Sequence, residues 1–169
     1  AIDFKLGFAP ADYDLLPAVV SASGLPESSV RAVLRDTGLL RSGGNPFFVD
    51  RLIFPITNEK GQICAFAGRA LSERSGPGKY INSIENDHFH KRETLYGLTP
   101  PADLPLESRK RWYAINRNEV AYIVEGYTDV LALQRHGILA VAAMGTAFTD
   151  GHYRKLSRRG LKRLRFCFD

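Results

Sequence analysis

From Val120 to Asp169 the chain alternates short apolar runs with amphipathic stretches, and few folds accommodate that order. VAYIVEG reads as a buried strand, YTDVLALQRHG as an amphipathic helix ending at Gly137, and ILAVAAMGT as a second apolar strand. TDGHYRKLSRRG reads as a polar helix with Thr149 as its N-cap, and LKRLRFCFD as a third strand. Strand–helix–strand–helix–strand order predicts a parallel sheet with right-handed crossovers.

The sequence upstream lacks this alternation. Residues 11–23 carry apolar side chains at helical spacing, with Pro17 as a local disruption. Residues 26–37 read as a short helix: Pro26 suits its first turn, Glu27 the positive helix end, and Gly38 the stop. RLIFPI, the turn NEKG and QICAFAGRAL read as a hairpin. The polar loop SERSGPGK follows, then KYINS and IENDHFHKRETLYGL. The Pro-rich TPPADLPLES is the best internal boundary, and RKRWYAINRNE can form a helix that packs Trp112 inward. The expected fold class is α/β: an α+β amino-terminal subdomain over 1–116, then a partial parallel-sheet unit over 117–169.

Composition narrows the function classes. At 44% hydrophobic and 24% charged, the sequence is that of a globular chain, not a disordered or fibrous one. No apolar run reaches the ~18 residues of a membrane-spanning helix, and no leader pattern is visible. Cys64 and Cys167 lie among apolar residues and read as small buried hydrophobes of a reducing, cytoplasmic protein, with no zinc-ligand spacing. The net charge of +5 invites a nucleic-acid reading, but residues 151–169 hold seven basic side chains against one acid. The rest of the chain is close to neutral, and the basic segment reads first as a solvated helix and loop, second as a contact for DNA backbone. The chain starts without Met and stops just after an apolar run, so it is expected to be a piece of a longer protein.

The placement of acids carries the chemistry. Glu125 falls at the carboxyl end of the first strand, Asp129 in the first turn of the next helix, and Asp169 at the carboxyl end of the third strand. Ligands of open α/β sheets bind at those strand ends. Clustered carboxylates repel unless a cation neutralises them, and Mg²⁺ takes oxygen ligands while leaving room for phosphate. That combination suggests metal-assisted phosphoryl or nucleotidyl transfer. A structural alternative stays open: Glu125 and Asp129 can be acids favoured by a helix N-terminus.

YIVEGYTDVLAL, AVAAMGTAFTDGH and FCFD together resemble the Toprim catalytic core, in the version found in bacterial DnaG-type primases. FKLGFAP, RLIFPI with G-x-x-x-AFAGR, KYINS and FHKRETLYGL resemble the upstream half of the same RNA-polymerase domain, in the same order. The resemblance implies metal and catalytic roles for Glu125, Asp129 and Asp169, with Mg²⁺ or Mn²⁺ as cofactor. It implies that Arg69, Lys79, Asn82 and Lys91 bind nucleotide phosphates and template backbone. Tyr80, beside Lys79, reads first as a packed core tyrosine and second as a stacking partner for a base. Single-stranded DNA, ribonucleoside triphosphates and an RNA primer are the implied partners. The helicase and the single-strand-binding protein would be met through other regions, and the implied setting is the nucleoid, with no membrane. Gly78 stands where the family has Pro, Ile84-Glu85-Asn86 where it favours Pro-Glu-Thr, and Thr128 where it has Met.

Two rival readings remain. A Toprim nuclease, or a phage or plasmid relative, would share the acids, but KYINS and FHK argue against a nuclease. A non-catalytic nucleic-acid-binding module would keep the fold without turnover. His88 and His90 share a strand face but lack a third ligand, so a metal pair there is disfavoured.

Overall fold

The computed structural model describes residues 4–115 and 119–168. Two compact units divide the chain: residues 6–54 with 66–86 form one, and the amino terminus through Lys5, 55–65 and 87–169 form the other.

The first unit pairs an antiparallel sheet with two helices. Its strands are β1 (Gly7–Ala9), β2 (Arg51–Thr57), β3 (Ile63–Ala70) and β4 (Tyr80–Asn82), in that spatial order. β1 pairs antiparallel with β2, and β4 antiparallel with β3. β2 and β3 run on into residues 55–65, where Asn58 makes the turn by donating its N–H to the Gln62 carbonyl at 2.9 Å. Helix α1 (Leu15–Ser23) is capped by Asp14, whose carboxylate accepts from the Leu16 N–H at 3.2 Å. Pro17 does not disrupt it. As the third helical residue, it stands where a backbone N–H has no intrahelical acceptor to lose. Helix α2 (Glu27–Asp36) follows Pro26 as expected, and Val30 and Leu34 meet Leu16 and Leu40 in a small core.

The second unit carries the parallel sheet. Helix α3 (Leu106–Ile115) leads into β5 (Val120–Val124), α4 (Tyr127–Arg135), β6 (Ala140–Ala142), α5 (Asp150–Arg158) and β7 (Arg163–Cys167). The sheet order is β6-β5-β7, all parallel, so the first strand in sequence is the central one. Ala121, Ile123, Leu139, Val141, Leu156 and Leu161 form its core with Leu95 and Leu98. Tyr96 adds a bridge to Ala142 on the outer side of β6. Trp112 packs inward as expected, its ring 5.4 Å from that of Phe4.

One further sequence expectation changes, that of the buried cysteines, and the Pro-rich stretch gains detail. The start of the Pro-rich stretch is packed, with every residue from 94 to 101 buried and the Thr57 hydroxyl donating to the Thr99 carbonyl at 2.6 Å, while Ala102, Asp103 and residues 105–107 are exposed. Cys167 on β7 is exposed, while Cys64 is half-buried. No helix among the described residues is long and apolar enough to cross a membrane.

Candidate active site

The register of the parallel sheet sets the site. Val124, the last residue of β5, stands level with Ala142 on β6 and Cys167 on β7. Glu125 therefore emerges at the carboxyl edge of the central strand, and it is exposed. It lines a cleft of about 420 Å³ with Met144, Gly145, Thr146, Phe148 and Phe168. The cleft wall turns sharply at Met144 and Gly145, with φ of 57° and 79°. A left-handed methionine is strained backbone, of the kind that gathers at functional sites.

Asp129 occupies the first turn of α4 and folds back. Its carboxylate accepts from the Gly126 N–H at 3.1 Å. A Cβ on residue 126 would lie 2.6 Å from that oxygen, so glycine is what lets the carboxylate cap the helix. The capping role suggested by helix electrostatics is thus present, and it engages one Asp129 oxygen. Asp169 lies outside the described residues. Among the described residues no group of three His, Cys, Asp or Glu side chains assembles as a metal site. The available donors are hard carboxylate oxygens, which suit a magnesium-class ion.

Lys91 is held by its backbone. The buried His152 of α5 makes a 2.8 Å hydrogen bond from Nε2 to the Lys91 carbonyl, while its Nδ1 accepts from the Thr149 N–H at 3.2 Å. That pairing makes Nε2 the protonated nitrogen of a neutral ring. Burial lowers the His152 pKa, and the bond to Lys91 offsets this only in part. The Thr149 hydroxyl adds a bond to the Arg92 carbonyl.

In the antiparallel unit, Arg69 on β3 stands opposite Tyr80 on β4, and Ala67 opposite Asn82. Cross-strand partners share a face, so Arg69, Tyr80 and Asn82 project from one side of the sheet. Tyr80 is half-buried and packs on Phe54, ring centroids 6.3 Å apart. Lys79 stands at the entrance to β4, its carbonyl accepting from the Ala70 N–H at 2.8 Å. Among the described residues no hydrogen bond or ion pair engages the Arg69 or Lys79 side chain. The candidate residues thus fall in two sets: Arg69, Lys79, Tyr80 and Asn82 in one unit, and Lys91, Glu125 and Asp129 in the other.

Sequence reasoning missed His152, the strained Met144, and Arg51. Arg51 opens a strand and looks like an ordinary exposed end, yet it is 1% exposed. No local signal marks it, because the loop it holds follows β3 and not its own strand.

A parallel unit with an acid after the central strand and another in the next helical turn has Toprim-like architecture, and residues 122–169 match the Toprim-like family. Residues 1–101 match the DNA primase catalytic core, N-terminal domain family, and the chain belongs to that family. It is 40% identical to a DNA primase of Pseudomonas putida, over the whole chain but only 24% of that protein. A solved DnaG primase catalytic domain bound to single-stranded DNA shares 33% identity with a TM-score of 0.76, covering 99% of this chain and 48% of that one. The RNA polymerase domain of the Mycobacterium tuberculosis primase shares 29% identity with a TM-score of 0.77, covering 98% of this chain and 53% of that one. The chain therefore spans about a quarter of the length of the curated primase it matches. The Toprim primases are generally metal-dependent.

Proposed function

We propose that this chain builds part of the nucleotidyl-transfer site of a DNA primase, serving DNA-templated synthesis of short RNA primers from ribonucleoside triphosphates during replication. The observation that carries the reading is Glu125, exposed at the carboxyl end of the central parallel strand in a chain of the primase family. In this reading residues 1–116 are the amino-terminal subdomain and 117–169 the first half of the Toprim domain. The bounds of the two family matches support that division. The setting is a bacterial cytoplasm, with single-stranded DNA as template. The replicative helicase and the single-strand-binding protein would be met by other parts of the protein.

In the reaction, the 3′-hydroxyl of one nucleotide attacks the α-phosphate of the next, and pyrophosphate leaves with the electron pair of the broken bond. Glu125, with Asp129 and Asp169, would hold Mg²⁺ or Mn²⁺, which supplies charge stabilisation at the phosphate oxygens. In the same reading Glu125 would accept the proton of the attacking hydroxyl. Arg69, Lys79 and Lys91 neutralise triphosphate and template phosphates. Asn82 offers hydrogen bonds from the face it shares with Arg69, and the half-buried Tyr80 leaves part of its ring for a base.

The test is primer synthesis from labelled ATP on single-stranded DNA with Mg²⁺, using the full-length primase that contains this chain. Glu125→Gln should lower synthesis by about 10²–10⁴-fold. Unchanged synthesis would remove the role of Glu125, and no RNA from the unmodified protein would remove the enzyme reading.

A further inference from the structure

The guanidinium of Arg51 is buried in the antiparallel unit and grips four backbone carbonyls. Nη1 donates to Gly68 and Gly78, each at 3.0 Å. Nη2 donates to Ser75 at 2.8 Å and Pro77 at 3.1 Å. Its Nε–H is buried with no partner. Burying a cation is costly, and leaving one of five donors unmet adds to the cost. The geometry gives up the fifth bond to aim three at the 75–78 loop and one at Gly68 on β3. Gly68 makes room for this: a Cβ there would lie 2.9 Å from Arg51 Cδ and 2.6 Å from the Phe48 ring.

A trans peptide unit is planar, with its C=O and N–H pointing in opposite directions. Pulling the Pro77 and Gly78 carbonyls inward therefore turns the N–H groups of Gly78 and Lys79 outward. Both residues are exposed, and among the described residues neither N–H has a protein acceptor. Gly78 supports this with φ of 85°. The Gly68 carbonyl belongs to the peptide unit that leads into Arg69, so Nη1 also ties that unit to the one leading into Lys79.

We propose that Arg51 is a positioning residue that builds an anion-binding loop at 77–79, where the N–H groups of Gly78 and Lys79 and the Lys79 ammonium together receive a phosphate group. This deepens, and rests on, the reading of Lys79 as a phosphate-binding residue. It adds two backbone donors and the buried cation that orients them. The phosphate belongs to a nucleoside triphosphate or to a nucleic-acid backbone, and the two sources differ only in what is attached.

The experiment is an amide-resolved NMR titration of the ¹⁵N-labelled protein with ATP, and separately with an oligothymidylate. The Gly78 and Lys79 amides should shift on saturation. The arm with the tighter response identifies the source. Arg51→Met should weaken the binding by about tenfold or more while Lys79 is still present. Arg51→Lys, which keeps the charge but not the fork, should restore it only in part. Unmoved Gly78 and Lys79 amides in the unmodified protein, at saturation, overturn the proposal even if Arg51→Met does not fold. So does Arg51→Met binding as tightly as the parent. If Lys79→Ala weakens binding while those amides stay still, the phosphate reading of Lys79 survives and the loop proposal fails. If Lys79→Ala and Arg69→Ala both bind like the parent, the underlying reading fails as well.

Discussion

His152 works by being uncharged. Its ring accepts from the Thr149 N–H and donates to the Lys91 carbonyl, and the imidazolium form would have no lone pair for Thr149. Burial lowers its pKa, and the nearby charges of Lys155 and Arg92 act in the same direction, against hydrogen bonds to the Lys91 and Thr94 backbone. The unfolded chain thus takes up this proton at higher pH than the folded one. Stability contributed by the neutral ring is present above the ordinary histidine pKa of about 6.5 and is lost as pH falls below it. Urea midpoints measured at pH 7.5 and pH 5.5 should show a drop that shrinks in His152→Gln. An equal drop in both proteins would assign the acid sensitivity elsewhere. Glu125 and Asp129 were legible in the sequence because E-G-x-x-D after an apolar run is a local pattern. His152 and Arg51 were not, since each acts on carbonyls that only the fold brings near: Lys91 is 61 residues from His152, and Gly78 is 27 from Arg51.

Among the elements, the parallel half was readable because its hydrophobic period changes at each boundary. All five of its expected strands and helices are present from Val120 onward. Upstream, the sequence predicts that Pro17 disrupts its helix, and it does not. Proline marks what the backbone can do and says nothing of burial, as the fully buried Pro100 shows. Gly97 shows the converse, a glycine demanded by packing. It has φ of 83°, and a Cβ there would lie 2.5 Å from Val130 Cγ1 and 2.9 Å from Gln134 Nε2. Gln134 spends that amide on the Gly97 and Ala140 carbonyls, at 2.7 and 2.8 Å, joining α4 to the start of β6. Gly97→Ala should therefore cost about 1–3 kcal/mol from overpacking, with a left-handed alanine as a further penalty. A thermal midpoint within a degree of the parent would show that α4 can shift aside.

Across the whole molecule, the charge total proves a poor guide. Much of the basic carboxyl segment is occupied internally: Arg159 donates to the Leu98 carbonyl, Lys155 pairs with Glu59 at 3.3 Å, and Lys162 with Glu119 at 2.7 Å. Arg165 lies over the Tyr122 ring, 5.6 Å from its centre. The cations without partners that matter to the reading are Arg69 and Lys79, in a stretch of nearly neutral composition. The interleaving of the two units has its own consequence, in time instead of space. Every residue of the antiparallel unit lies between Leu6 and Asn86, whereas its neighbour joins Lys5 to Asp103 across 98 residues and pairs Val120 with Arg163. Contacts that far apart in sequence close slowly. During synthesis the antiparallel unit is complete before β5 has been made, so the chain has a built-in order of assembly. Pulsed hydrogen exchange during refolding should protect amides of α1, α2 and β1 ahead of those in β5–β7. Simultaneous protection would mean that the two units fold as one cooperative body.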